Sequence, residues 1–168
     1  MSNRVEDLLP EVATKCRSLL DAAAAAGISV VVVQTLRTVE EQDRIYAKGR
    51  TIPGEPCTHR GVERPVGTCP VHPLGVTVSK AKGGYSWHNF GRAFDLALVN
   101  PKTGKAYWPL AKDKRWQQLG ELGLVAGLDW GGSWTVPDTG HFQDRGGQTL
   151  AAAREAARQA GGTAPPVA

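Results

Sequence analysis

A chain of 168 residues is long enough to bury one sizeable core and short for two domains. Its composition is that of an ordinary globular protein, and no apolar run is long enough to span a membrane, so stable membrane insertion is not expected. The formal net charge of +4 comes without a basic run or a basic face rich in aromatics, which excludes nucleic acid as the expected partner and suits an anionic wall polymer better.

Taken in chain order, the opening "MSNRVEDLLPEVATKC" has no signal-peptide core, so the expectation is synthesis in a bacterial cytoplasm and release by another route. "PEVATKCRSLLDAAAAAG" reads as a helix, with Pro10 in its first turn, Cys16 as a small buried apolar residue and Gly27 at a left-handed cap. "ISVVVVQT" is continuous and β-branched, which predicts a buried strand. In "TVEEQDRIYAKG", Thr38 and Glu41 fit a capping box and Gly49 ends the helix. Residues 50–75 form a long loop rich in Pro, Gly and Arg with no usable period. "RAFDLALV" alternates as a strand, Ala93, Asp95 and Ala97 on one face and Phe94, Leu96 and Leu98 on the other. A turn, "NPKTGK", leads to an amphipathic helix in "DKRWQQLGELGLVAG". "GHFQ" predicts a short strand, "GQTLAAAREAARQAGG" a closing helix, and "TAPPVA" a frayed tail. Neither an internal repeat nor a linker interrupts the chain, so residues 1–168 read as one small α+β domain and a monomer.

Two stretches carry paired His and Asp residues among glycines and tryptophans. "GYSWHNFGRAFDLAL" holds His88 and Asp95, and "DWGGSWTVPDTGHFQ" holds Asp138 and His141. Ordinary turn residues account for that spacing as well as one site does. The chemical reading is a catalytic zinc, which takes nitrogen and oxygen ligands, keeps three protein ligands and leaves one position open. His88, Asp95 and His141 supply such a set, and Asp138, aimed by the tight "PDTGH" turn, would take and return a proton. Asp95 strengthens this reading, because a carboxylate in an apolar strand needs a partner. Trp87, Trp130 and Trp134 read as walls of a cleft or as plain apolar anchors.

At this point "SWHNFGRAFDL" resembles the Ser-x-His-x-x-Gly-x-Ala-x-Asp signature of the zinc peptidases grouped around D-alanyl-D-alanine carboxypeptidases and hedgehog-like domains. "DWGGSW…DTGHFQ" resembles the second half of that signature, and "TLRTVEEQDRIYAKGRTIPG" the strand–Arg–helix segment of members that cut peptidoglycan. The resemblance spans residues 10–145 and is nearest to the L-alanyl-D-glutamate endopeptidases, which include phage endolysins. It implies a central antiparallel sheet flanked by helices, zinc on His88, Asp95 and His141, and Asp138 as general base. It implies that Arg37 holds the substrate or the developing oxyanion, where the bland reading is an ion pair with Glu41. Gln42 would brace the loop and Ser86 would hydrogen-bond beside the ligands. Relatives that cut D-Ala-D-Ala tend to carry Glu at the position of Asp138, so Asp favours the endopeptidase branch over a D,D-carboxypeptidase or dipeptidase. A lysis enzyme acting on peptidoglycan after release through a membrane pore fits the absence of a signal peptide.

The chain departs from the resemblance at "EPCTHRGVERPVGTCPVHPLG", which intervenes before the strand of the first motif. Its Cys57, His59, Cys69 and His72 form a C-x-H…C-x-x-H pattern. Three readings stay open for it: a second, structural zinc, a Cys57–Cys69 disulfide, or unlinked loop residues. The segment from 147 to 168 reads as a packing helix and tail.

Overall fold

The computed structural model describes residues 1–59 and 62–160, without the side chain of His59; the expected tail "TAPPVA" lies outside the described residues. Among them run the helices α1 (Pro10–Ala25), α2 (Val39–Ala47), α3 (Lys114–Val125) and α4 (Leu150–Gln159). The strands are β1 (Val30–Gln34), β2 (Cys57–His59), β3 (Val62–Arg64), β4 (Ala93–Val99), β5 (Ala106–Tyr107), β6 (Asp129–Trp130) and β7 (His141–Gln143). No helix among the described residues is long and apolar enough to cross a membrane.

Local chemistry sets the helix starts. Pro10 occupies the first turn of α1, where its missing N–H costs nothing. At α2 the capping box forms: Glu41 N–H donates to Thr38 Oγ1 at 3.1 Å, and Thr38 N–H donates to Glu41 Oε2 at 2.9 Å. At α3 and α4 the cap is one-way: the Asp113 side chain accepts from Arg115 N–H and the Thr149 side chain from Ala152 N–H.

The sheet runs β1-β4-β7-β6, with β5 added to β4, and every pairing is antiparallel. It has two unlike faces. Phe94, Leu96, Leu98 and Phe142 turn into a core shared with Val12, Cys16 and Leu19 of α1 and Trp116 and Leu119 of α3. Phe94 and Phe142 are opposite in register and stack at 5.7 Å. The other face carries Asp95 directly opposite His141, with Gln34 on the far side of Asp95. A bulge between Val32 and Gln34 makes that last pairing.

Two expectations are corrected. The expected buried strand is instead an edge strand: β1 lies at the sheet edge, and Val31 is 39% exposed. A β-branched run fits any pleated surface, so it reports strand and not depth. Residues 50–75 are not featureless: β2 and β3 form a hairpin, and a bridge between Glu55 and Val76 closes the base of the loop.

Candidate active site

Three elements bring three side chains together. Asp95 comes from β4, His141 from the adjacent β7, and His88 from a short 3-10 turn, Trp87–Phe90, that precedes β4. His88 Nε2 lies 3.3 Å from Asp95 Oδ2 and 3.3 Å from His141 Nδ1, and His141 Nδ1 lies 3.0 Å from Asp95 Oδ1. Both imidazoles are buried.

Their outer nitrogens fix the tautomers. His88 Nδ1 is 2.7 Å from the carbonyl oxygen of Thr35, which only accepts, so this nitrogen carries the proton. His141 Nε2 is 3.0 Å from Gln143 Oε1 and carries its proton there. In the neutral rings, His88 Nε2 and His141 Nδ1 therefore face each other with lone pairs, beside a carboxylate. Three acceptors aimed at one point repel unless a cation sits among them, and two imidazoles with one carboxylate are a donor set for a divalent transition metal. The residues fit a metal.

The titration behaviour follows the same geometry. Burial pushes the Asp95 carboxyl up, but His88 and His141 outweigh it and hold the group well below the usual carboxylate range. Asp138 moves the other way. It stands three residues before His141, whose N–H donates to the Asp138 carbonyl at 3.1 Å, and it is exposed to solvent. Desolvation by the surrounding wall and the nearby Asp95 charge raise its carboxyl, against the pull of His141, His88 and Arg37. A carboxylate raised in this way is a better proton acceptor than a free one.

Arg37 is buried and does not pair with Glu41, which is occupied by Thr38 and the chain's amino terminus. Its guanidinium donates to Gln42 Oε1 and Gln34 Oε1 and lies 3.8 Å from Asp95 Oδ2. Gln42 does more than brace a loop. Fully buried, it accepts from Arg37 and donates to Ala81 O at 2.7 Å and Ser79 Oγ at 3.1 Å. Ser86 is corrected: it caps the 3-10 turn, its N–H donating to Asn89 Oδ1 at 3.3 Å, and makes no bond to the His–Asp cluster.

Of the three tryptophans, Trp134 alone meets the cluster, its ring 5.1 Å from that of His141. Trp87 packs with Phe90, Ala153 and Ala157 beneath α4. Trp130 belongs to the main core, stacks over Gly120 and donates its indole N–H to Thr139 O at 2.9 Å. Large rings near a motif fill whichever side needs volume, and two of these fill the core side. In the inserted loop, Cys57, Cys69 and His72 converge, while the side chain of His59 lies outside the described residues.

Four supporting residues escaped the sequence reading: Gln34, Thr35, Asn89 and Gln143. Asn89 is fully buried and uses every position of its amide. It donates to Arg37 O and Thr38 O and accepts from Gly84 N–H and Ser86 N–H, so it locks the His88 turn to the connection between β1 and α2. Gln143 was legible in principle, since it lies two residues after His141 on the same strand face. Thr35 acts through its backbone carbonyl and leaves no side-chain signature.

Comparison with known proteins gives concordant matches. A family model described as D-alanyl-D-alanine carboxypeptidase, of the M15 peptidases, matches residues 79–144. The peptidoglycan L-alanyl-D-glutamate endopeptidase CwlK of Bacillus subtilis (strain 168) is 33% identical over 134 residues, covering 76% of this chain and 67% of that protein. Among solved structures, the L-Ala D-Glu endopeptidase ChiX of Serratia marcescens superposes with a TM-score of 0.52 at 18% identity, over 83% of this chain and 81% of that one. The LD-carboxypeptidase LdcB superposes with a TM-score of 0.56 at 14% identity, over 88% of this chain and 64% of that one. The two structural likenesses speak to the fold alone.

Proposed function

Because this chain belongs to the M15 family of metallopeptidases, we propose that it is a zinc enzyme that hydrolyses the amide between L-Ala and D-Glu in the stem peptide of peptidoglycan. One observation carries the reading: the lone pairs of His88 Nε2 and His141 Nδ1 converge with the Asp95 carboxylate beside Asp138. Zinc held by these three ligands supplies Lewis-acid activation of a water and of the scissile carbonyl.

The chain's own residues do the rest. The Asp138 carboxylate accepts the proton from the attacking water and returns it to the nitrogen of D-Glu as that amine leaves. Arg37, held by Gln34 and Gln42, offers its guanidinium to the free α-carboxylate of D-Glu, next to the bond that breaks. Trp134 forms an apolar wall over His141. Asp rather than Glu at position 138 and the relative named for this bond support the endopeptidase over the carboxypeptidase.

Digestion of purified peptidoglycan with mass spectrometry of the fragments tests the bond. New amino termini on D-Glu, with L-Ala left on the sugar, are the expected products. The description of the matched family model favours a second reading, a D-alanyl-D-alanine carboxypeptidase. Release of free D-Ala with the L-Ala–D-Glu bond intact would establish that reading and overturn the first. We propose further that the enzyme serves phage lysis of the host, its net charge of +4 suiting an anionic wall. Clearing of permeabilised cells by the purified protein is the expected result.

A further inference from the structure

We infer that Cys57, Cys69 and His72 form a second metal site, a structural zinc centre that pins the inserted loop, separate from the His88–Asp95–His141 cluster. Cys57 opens β2 at the near end of the loop, and Cys69 and His72 lie in a turn at its far end. Their ligand atoms all lie within 4.8 Å of one another, and Cys69 Sγ is 3.9 Å from His72 Nδ1. Two sulfurs and a nitrogen bound to one tetrahedral zinc stand roughly 3.5–3.8 Å apart, given bonds of about 2.0–2.3 Å. The cluster needs only a small contraction to reach that geometry.

The burial of the two cysteines argues the same way. Both are 2% exposed and both are free thiols. Cys16 is also buried, but within the main core among Val12 and Leu19. Cys57 and Cys69 belong to neither apolar cluster, so hydrophobic packing does not account for where they sit. Instead the two sulfurs lie within 4.8 Å of each other and of a His72 ring nitrogen. His72 is exposed and reaches back toward Cys69 Sγ from three residues on. Sulfur–nitrogen donor sets of this kind select zinc over calcium or magnesium.

Such a centre has work to do. The loop joins α2 to the Ser79–Ala81 strap on which Gln42 rests, and Gln42 in turn holds Arg37. Backbone bonds close the loop base, Gly54 N–H donating to Leu74 O at 2.7 Å and Val76 N–H to Glu55 O at 2.8 Å. Few large apolar side chains lie within it, and Val62 and Val71 are exposed. A metal tying its two ends supplies the cohesion that a core would give elsewhere.

The test uses the full chain, purified under reducing conditions and loaded with zinc or cobalt(II). Elemental analysis should find two zinc ions per chain. The cobalt protein should show thiolate-to-cobalt charge transfer in the near ultraviolet, which a site of imidazole and carboxylate ligands does not produce. His88→Ala should remove one metal and keep that band. Cys69→Ser should remove one metal and the band. A wild-type protein that shows no charge-transfer band, or in which peptide mapping finds a Cys57–Cys69 disulfide, overturns the inference; a single metal with the band present leaves it standing and removes the His88–Asp95–His141 site instead. The wild-type spectrum needs no variant to fold, and its outcome is independent of which peptidoglycan bond is cut.

Discussion

The Arg37 guanidinium comes within 3.8 Å of the Asp95 carboxylate, yet its hydrogen bonds go to Gln34 and Gln42. Two neutral amide oxygens orient the cation without cancelling its charge. Arg37 Nε, although buried, has no hydrogen-bond partner among the described residues. A cation held in this way keeps its charge available to attract an incoming anion. A hydrogen bond to a charged group is worth about 1.5–3 kcal/mol, roughly ten- to a hundredfold in rate. Arg37→Ala should therefore lower kcat/KM by about that factor on stem peptides while leaving zinc content unchanged. Arg37→Lys should recover little, because a point charge cannot span both glutamines. Wild-type kcat/KM in Arg37→Ala would remove Arg37 from substrate binding.

Metal removal should abolish wall cleavage, and added zinc should restore it. Loss of the cation also leaves three acceptors facing one another, so the stripped protein should melt at a lower temperature, as for any ligand bound by the native state alone. Calorimetry with and without chelator measures this. Full activity of His88→Ala would sink the ligand assignment.

Gln143 offers a subtler check. Its Oε1 accepts from His141 Nε2 and so keeps the Nδ1 lone pair turned toward Asp95. Gln143→Leu keeps much of the volume and removes the acceptor. Loss of such an outer partner typically weakens metal affinity about 10–100-fold. Competition against a chromogenic chelator should show that drop, with kcat near normal once zinc is saturating. Unchanged affinity would mean that the ring is oriented by packing alone.

The sequence made some of this legible and hid the rest for physical reasons. The capping box at Thr38, the alternation in β4 and the helices around Val12 and Trp116 follow from local rules, and each formed. Donor chemistry makes His88, Asp95 and His141 candidates, and the family resemblance is what joins them into one ligand set. What stayed hidden depends on partners distant in sequence. β1 is an edge because β4 pairs with β7 on its other side, and no residue of β1 encodes that. Trp130 turned out to be a core residue because Gly120 and Gly132 leave space for its ring. Thr35 acts through a carbonyl that every residue possesses.

Gly123 gives a test of the packing itself. A Cβ at this position would lie 2.5 Å from Cε1 of the Phe142 ring, and Phe142 is fully buried against Phe94. Overpacking of this kind costs about 1–3 kcal/mol, against roughly 1 kcal/mol gained from replacing Gly in a helix. Gly123→Ala should be net destabilised, with a lower urea midpoint and an unchanged slope. A midpoint at or above wild type would show that the α3–sheet contact has slack.

Asp138 separates the two roles open to a carboxylate at this centre. Its carbonyl receives the His141 N–H, so the backbone of the turn does not depend on its side chain. Its carboxyl is raised chiefly by desolvation and by Asp95, and no ligand atom of the His–Asp cluster comes from it. A ligand would be needed for metal retention; a proton carrier would be needed for turnover only. A general base typically contributes about a hundred- to ten-thousandfold. Asp138→Asn, which keeps the shape and loses the basicity, should therefore cut kcat by a factor in that range and leave both the zinc content and the melting temperature close to wild type. Asp138→Glu should recover part of the rate, since the carboxylate returns on a longer arm. Loss of zinc in Asp138→Asn would make it a ligand, and a wild-type kcat would leave the proton to solvent.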